Sequence, residues 1–196
     1  MEKFNFKINI FLLGDINTGK TLFFKKFNQI DYNNYIPTIG IEIENKIIKF
    51  GSKKISFNFI DTCGAEFNEN SFKYHLNSNP SAVILFYNLN QKQSFLSIKN
   101  WLKNVHIKKD DNNSKKNYKF PIFIIGNINK QYENNEYKDE DLINEYMENF
   151  FYKEINLKNE NNIIDNYFTE FYEDFIKTYY NIRYIPNEKN SSCLLF

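Results

Sequence analysis

The sequence predicts a three-layer α/β domain: a mostly parallel sheet between helices, with one antiparallel hairpin at its edge. Three observations point there. Short apolar runs of strand length recur along the chain, and AVILFY (Ala82 to Tyr87) has no polar alternation, as a strand covered on both faces requires. Stretches with helical apolar spacing fall between those runs, and alternating strands and helices build parallel sheets. With 196 residues, the chain is long enough for one domain with a sizeable core.

The elements follow in order. INIFLL (Ile8 to Leu13) reads as the opening strand and TLFFKKF as the helix after it. IEIENKIIKF (Ile41 to Phe50) alternates, and the Gly51-Ser52 turn joins it to ISFNFI (Ile55 to Ile60) as an antiparallel edge hairpin. AVILFY comes next. Phe95, Ile98, Leu102 and Val105 then share one helical face, with Asn90 as the expected N-cap and Gln93 at the reciprocal position. FPIFII (Phe120 to Ile125) and the weaker FYKEI (Phe151 to Ile155) complete the strands. A last apolar stripe runs through Ile164, Phe168, Phe171, Phe175 and Tyr179. Core packing accounts for both stripes. The Asn- and Lys-rich stretches Lys108 to Lys119 and Asn129 to Leu142 read as solvated loops.

Composition narrows the function. A formal charge of +1 leaves no basic surplus of the kind nucleic-acid binding uses, so no nucleic-acid partner is expected. Two cysteines, Cys63 and Cys193, are too few and too far apart for a disulfide framework or a cysteine metal site. The chain therefore reads as intracellular. MEKFNFKINIFLLG is too interrupted by charge and asparagine for a signal peptide. No apolar run approaches the roughly 20 residues that span a bilayer.

Ligands of such sheets bind beyond the carboxyl ends of the strands. After INIFLL stands GDINTGKT (Gly14 to Thr21), which satisfies G-x-x-x-x-G-K-[ST] in the strand–loop–helix setting that motif needs. Gly14 and Gly19 let the backbone curl, so that N–H groups along Asp15, Ile16, Asn17 and Thr18 converge on phosphate oxygens. Lys20 supplies a positive charge to the β- and γ-phosphates, and the Thr21 hydroxyl is a Mg²⁺ ligand. After ISFNFI stands DTCG (Asp61 to Gly64). Its carboxylate suits Mg²⁺ held through water, and its Gly64 N–H suits a γ-phosphate. Between them, Thr38 lies in DYNNYIPTIGIE, where a hydroxyl completes a metal shell only when a γ-phosphate is present.

Taken in order, GDINTGKT, YIPTIGIE, DTCGAE, GNINK and EINLK resemble the nucleotide motifs of the Ras superfamily of small GTPases. YIPTIGIE and SFLSIKNWLKNV are most similar to the Rab branch. The resemblance runs from Phe4 to about Ile182 and implies the small G-protein version of the P-loop fold over residues 1–182, with a flexible tail at 183–196. It further implies GTP/GDP with Mg²⁺ as ligands, Lys20, Thr21, Thr38 and Asp61 serving phosphate and metal, and two switch segments around Thr38 and from Asp61 to about Asn79. Tyr32 or Tyr35 is the expected cover over the nucleotide. Effector and exchange-factor proteins would dock on the switches.

Departures from the family pattern shape the expectation as much. Relatives place a water-orienting glutamine after the switch glycine; here the residue is Ala65, so no catalytic residue is assigned. Ile16 is bulky where relatives keep a small residue and crowds an incoming arginine finger. Arg183, in the tail, is the only arginine. A finger contributes about 10³–10⁵ in rate, so hydrolysis is expected to be very slow. Relatives read guanine with N-K-x-D. Asn127 is kept, Ile128 replaces the lysine and Lys130 the aspartate, and an ammonium accepts no hydrogen bond. In EINLK, Lys158 still suits stacking on the base, and the N–H groups of Asn156 and Leu157 suit a carbonyl oxygen. Glu133 is the nearest substitute acceptor in the following loop. Ile43 and Ile60 stand where Rab relatives carry partner-facing aromatics, which implies a different partner set. Cys63 is expected to fill a small buried site, and His75 and His106 carry no motif.

The chain ends in Cys193-Leu194-Leu195-Phe196, a C-a-a-X pattern whose terminal Phe favours geranylgeranyl transfer. One lipid chain gives reversible anchoring, so a prenyl-carrier protein and exchange between cytosol and the cytoplasmic face of an intracellular membrane are expected. The leading expectation is a Rab-like switch in vesicle traffic. The alternative is a prenylated pseudo-GTPase acting as a tethered interaction module.

Overall fold

The computed structural model of the protein describes residues 6–28, 30, 38–50, 53–64, 80–105, 120–128 and 139–157. Six strands and three helices appear among them: β1 (Phe6–Gly14), α1 (Lys20–Phe27), β2 (Ile41–Phe50), β3 (Lys53–Thr62), β4 (Ala82–Asn88), α2 (Lys92–Val105), β5 (Ile122–Asn127), α3 (Glu140–Asn149) and β6 (Phe151–Ile155). The sheet order is β2-β3-β1-β4-β5-β6. Only β2 and β3 pair antiparallel; the other neighbours are parallel. The α/β class, the edge hairpin and all six expected strands stand as the sequence indicates.

Side-chain alternation along β1 divides the core in two. Ile8, Ile10 and Leu12 join Phe23, Phe24 and Phe27 of α1 on one face. Phe11 and Leu13 join Phe95, Ile98, Trp101 and Leu102 of α2 and Leu142 and Tyr146 of α3 on the other. Each large side chain so buried contributes about 1.5–3 kcal/mol of transfer free energy. β4 is buried along its whole length, which explains its lack of alternation.

Register is what carries this sheet to the site. Asn58 on β3 faces Asn9 on β1 and Asn45 on β2, and the three amides are linked: Asn58 Nδ2 donates to Asn9 Oδ1 at 2.8 Å and Asn45 Nδ2 donates to Asn58 Oδ1. A slip by one residue would turn every side chain to the wrong face and break this row. With the row in place, Leu12 is level with Asp61, so the ends of β1 and β3 meet.

Two expectations need correction. Asn129 to Leu142 is not loop throughout, because α3 starts at Glu140. Asp139 caps it, its side chain accepting from the Leu142 N–H, with Glu140 and Asp141 in the first turn. Acidic residues there complement the helix dipole, and buried Leu142 and Tyr146 supply the apolar face. The N-cap of α2 is also misplaced: the helix begins at Lys92, after Gln91. The preceding turn is tied by Ser94 Oγ donating to the Asn88 and Gln91 carbonyls and by Asn88 Oδ1 accepting from the Asn90 N–H. The Gly51-Ser52 turn, Lys108 to Lys119 and the stripe from Ile164 to Tyr179 lie outside the described residues.

Removing the middle of the amide row tests its contribution. Asn58→Ala leaves the Asn9 acceptor without its partner and is expected to cost about 1–3 kcal/mol, read as a lower urea midpoint with an unchanged m-value.

Candidate phosphate and metal site

The loop after β1 is shaped by close approach. Gly14 has φ 137, and a Cβ there would lie 2.2 Å from the Phe86 carbonyl oxygen on β4; no side chain fits. Asn17 (φ 63) and Gly19 (φ 103) continue the turn, asparagine being the residue type that tolerates the left-handed region best after glycine. The chain then enters α1 at Lys20.

Lys20 folds back beneath this loop. Its Nζ donates to the carbonyl oxygens of Gly14 and Asp15, each at 2.8 Å, and the residue is 4% exposed. Thr18 Oγ1 also donates to the Asp15 carbonyl, at 2.8 Å. Gly64 closes over the ammonium: a Cβ on it would meet Lys20 Nζ at 2.5 Å and the Gly14 carbonyl at 2.8 Å. The motif at the end of β3 and the loop after β1 therefore form one cradle.

Beside it three oxygens gather. Thr21 Oγ1 donates to Asp61 Oδ2 at 2.8 Å, Thr38 Oγ1 donates to the same oxygen at 3.0 Å, and the two hydroxyls are 2.8 Å apart. That spacing fits a hydrogen-bonded cluster. It also fits the edge of an octahedral Mg²⁺ shell, about 2.9 Å for bonds of 2.0–2.1 Å. The other carboxylate oxygen, Asp61 Oδ1, is buried with no hydrogen-bond partner among the described residues. Burial pushes the Asp61 carboxyl above the usual carboxylate range, against the two threonine bonds and the Lys20 charge, which pull it down. A carboxylate with an unmatched oxygen beside two hydroxyls is a hard-oxygen donor set that suits Mg²⁺. Among the described residues no group of three or more His, Cys, Asp or Glu side chains is gathered. Most of a Mg²⁺ shell here would therefore come from phosphate and water, as is usual for that ion.

The far wall joins two more loops. Asn127, at the end of β5, donates from Nδ2 to the Thr18 carbonyl and accepts at Oδ1 from the Leu157 N–H, both at 3.3 Å. Ile128 N–H donates to the Ile155 carbonyl at 2.9 Å. A Cβ on Gly19 would meet Asn127 Nδ2 at 2.5 Å and Leu157 Cδ1 at 3.1 Å, so these loops press against the start of α1. Behind them Tyr152 Oη donates to Glu154 Oε1 at 2.8 Å and is bonded to Tyr87 Oη. Burial pushes both phenols up, which keeps them protonated donors.

The Ras family pattern matches residues 9–181. The chain belongs to the Ras family. Among its relatives is Ras-related protein RabV of Dictyostelium discoideum, 30% identical over 149 residues, 76% of this chain and 61% of that protein. Human Ras-related protein Rab-8B is 30% identical over 106 residues, 53% of this chain and 50% of the relative. Bovine Ras-related protein Rab-13 is 34% identical over 98 residues, 49% and 47%. The matched stretches thus span about half to three-fifths of these Rab-named relatives, which puts the chain on the Rab side of the family.

The sequence-assigned residues fall in two groups. Gly14 to Thr21, Thr38, Asp61, Gly64, Asn127, Ile128, Asn156 and Leu157 are brought together at the carboxyl ends of β1, β3, β5 and β6. Ala65, Lys130, Glu133, Lys158, Cys193, Tyr32, Tyr35, His75 and His106 lie outside the described residues. Ile16 stands half exposed on the loop. Two expectations change. Ile60 is 7% exposed and packs with Phe11, Leu13 and Val83, whereas Ile43 is 64% exposed; the two are paired across β2 and β3 and share a face, but Ile43 stands on the edge strand and only it presents apolar surface outward. Cys63 is only partly buried, since the chain leaves β3 just before it. Sequence reading missed Ile39, 94% exposed beside Thr38, although an apolar residue in a polar loop was a visible signal. It also missed Trp101, whose indole N–H donates to Asp15 Oδ1 at 2.8 Å.

Asp61→Asn tests the strained carboxylate. Because the folded carboxyl is raised, the native state holds its proton in a range where the unfolded state has lost it, and stability falls as pH rises through that range. The nucleotide-free Asn variant is expected to lack that decline and to be about 1 kcal/mol more stable near neutrality, measured by urea unfolding at stepped pH, while losing any Mg²⁺-dependent gain.

Proposed function

We propose that this chain is a Rab-like nucleotide switch of membrane traffic that binds Mg²⁺ with a guanosine di- or triphosphate and hydrolyses the triphosphate very slowly. One observation carries the reading. A buried lysine is clasped by the loop after β1, and an orphaned Asp61 oxygen stands next to the Thr21 and Thr38 hydroxyls. Together these form a receptor for a polyphosphate and a hard divalent cation.

On this reading the residues take the following roles. Backbone N–H groups from Asp15 to Thr18, with the Lys20 ammonium, receive the β- and γ-phosphates. Thr21 and Thr38 ligate the metal and Asp61 holds it through water. The metal, when bound, neutralises charge shared between the phosphate oxygens. Thr38 is the part that can report on the third phosphate, since its hydroxyl reaches the site from a separate segment. Asn127, Ile128, Asn156 and Leu157 form the base-side wall, and Lys158 is assigned to the base from the sequence. Ala65 offers a methyl group where water must be oriented, and Ile16 stands where a partner's arginine would enter, so the switch is reset by exchange more than by its own chemistry. Effectors and exchange factors dock near Thr38, where Ile39 and Ile43 are exposed. A geranylgeranyl group on Cys193 tethers residues 1–182 through the short tail to a cytoplasmic membrane face, and a prenyl carrier returns the protein to cytosol. Consistent with peripheral attachment, no helix among the described residues is long and apolar enough to cross a membrane.

A second reading has its own support. Lys130 puts a donor-only cation where the family pattern has a carboxylate acceptor, and opposing the donors on guanine costs more than the about 1–3 kcal/mol of leaving them unpaired. A tethered interaction module with weak or absent nucleotide selectivity would carry that substitution without loss.

Nucleotide extracted from the purified chain, followed by Mg²⁺ titrations of GTP, GDP, ATP and XTP, separates the two. The switch requires bound guanine nucleotide, with Lys130→Asp tightening GTP about ten-fold or more; binding of none establishes the module. Single-turnover hydrolysis is expected to rise roughly ten-fold or more in Ala65→Gln. A wild-type rate already equal to that of finger-assisted relatives would remove slow hydrolysis from the proposal.

A further inference from the structure

Asp15 is the sole carboxylate in the phosphate loop GDINTGKT. A loop that gathers N–H groups and an ammonium to receive an anion gains nothing from a free negative charge. Turned toward the mouth, that carboxylate would accept the same N–H groups and repel phosphate. Its actual direction is fixed by a residue 86 positions away. Trp101 Nε1 donates to Asp15 Oδ1 at 2.8 Å, and the indole is 1% exposed among Phe11, Leu13, Ile60 and Val83. That cluster grips both sides of the site: Leu13 immediately precedes the loop and Ile60 immediately precedes Asp61. Asp15 is also the residue whose carbonyl receives Lys20 Nζ and Thr18 Oγ1, so fixing its side chain fixes the acceptor that orients the phosphate-binding lysine.

We infer that Trp101 is a positioning residue for the phosphate loop: its indole N–H holds the Asp15 carboxylate on the α2 side, out of the anion's space, and steadies the carbonyl that aims Lys20. The inference rests on the nucleotide-site reading above and adds a residue to it that touches no ligand. It also makes α2 a lever on the loop. A partner that shifts α2 moves the Trp101 donor and, through Asp15, alters phosphate affinity without entering the pocket.

A double-mutant cycle on the full chain tests this, with Mg²⁺–GTP affinity as the readout and thermal unfolding as a check on folding. Trp101→Phe keeps most of the apolar ring and removes the donor. Its affinity loss is expected to be roughly ten-fold with Asp15 in place, the scale of a hydrogen bond to a charged group. In an Asp15→Asn background, where no charge needs holding aside, the same substitution is expected to cost under three-fold. A merely structural ring would give equal losses in both backgrounds, and that result overturns the inference while leaving the nucleotide site intact. A wild-type chain that binds no Mg²⁺–nucleotide overturns both.

A second measurement avoids altering the buried ring. Trp101 is the only tryptophan, so a ¹⁵N-labelled chain gives a single indole N–H signal. It is expected well downfield in the wild type and shifted upfield in Asp15→Ala. A signal that stays in place shows that the carboxylate is not its acceptor and overturns the inference even if Trp101→Phe fails to fold.

Discussion

A buried ammonium needs acceptors, and the site is built around meeting that need for Lys20. An unpaired buried charge costs several kcal/mol, yet this one must remain available to an incoming anion. The fold resolves the conflict with main-chain oxygen. The carbonyls of Gly14 and Asp15 both turn inward to Lys20 Nζ, which leaves the N–H groups of the same loop directed to the opposite side. That geometry requires the chain to leave β1 pressed against the Phe86 carbonyl, where no Cβ fits. It also requires β3 to end level with β1, so that Gly64 can lie over the ammonium. Sheet register, the glycine turn and the lysine clasp are therefore one constraint seen at three scales.

Asp61 shows the opposite balance. Its carboxylate is fully buried with one oxygen bonded to two hydroxyls and the other bonded to nothing among the described residues. Burial dominates the shift of its carboxyl, and Glu42 adds to it. Such a group weakens the unliganded fold and strengthens the liganded one, which is the signature of a residue kept for binding. On the proposed reading, the same cluster lets Thr38 act as a reporter. Here its hydroxyl is held by a hydrogen bond to Asp61, worth about 1 kcal/mol net.

What could be read from the sequence depended on where the partners of each residue lie. β4 was legible because seven consecutive buried positions leave a pattern in the chain itself. The phosphate loop was legible because its chemistry needs fixed residue types at fixed spacing. α3 was overlooked in an Asn- and Lys-rich stretch, although Asp139, Glu140 and Asp141 ahead of Leu142 and Tyr146 carried a start signal. Ile60 was misjudged because it shares a face with Ile43, its partner across the hairpin, and only the order of strands, which no motif reveals, puts Ile43 on the edge and Ile60 one strand inside it. The Trp101–Asp15 bond could not have been found at all. It joins positions with no local pattern in common, and a tryptophan on an apolar helix stripe already has a sufficient reason to be there.

The same distinction explains why the base-side motif is half kept. Asn127 has work inside the chain: its Nδ2 reaches the Thr18 carbonyl and its Oδ1 receives the Leu157 N–H, so it joins the phosphate loop to the loop after β6. Replacing it would leave two buried backbone groups unmatched, whatever ligand is bound. The aspartate that the family pattern places three residues later, where this sequence has Lys130, has its partner on the base. Ala65 follows the same logic, since the side chain it replaces acts on a water molecule. Gly14, Gly64 and Lys20 are each fixed by contacts with other parts of the fold. On the proposed reading, the polyphosphate half of the site is thus protected by folding itself, whereas base selection and water activation have only function to protect them.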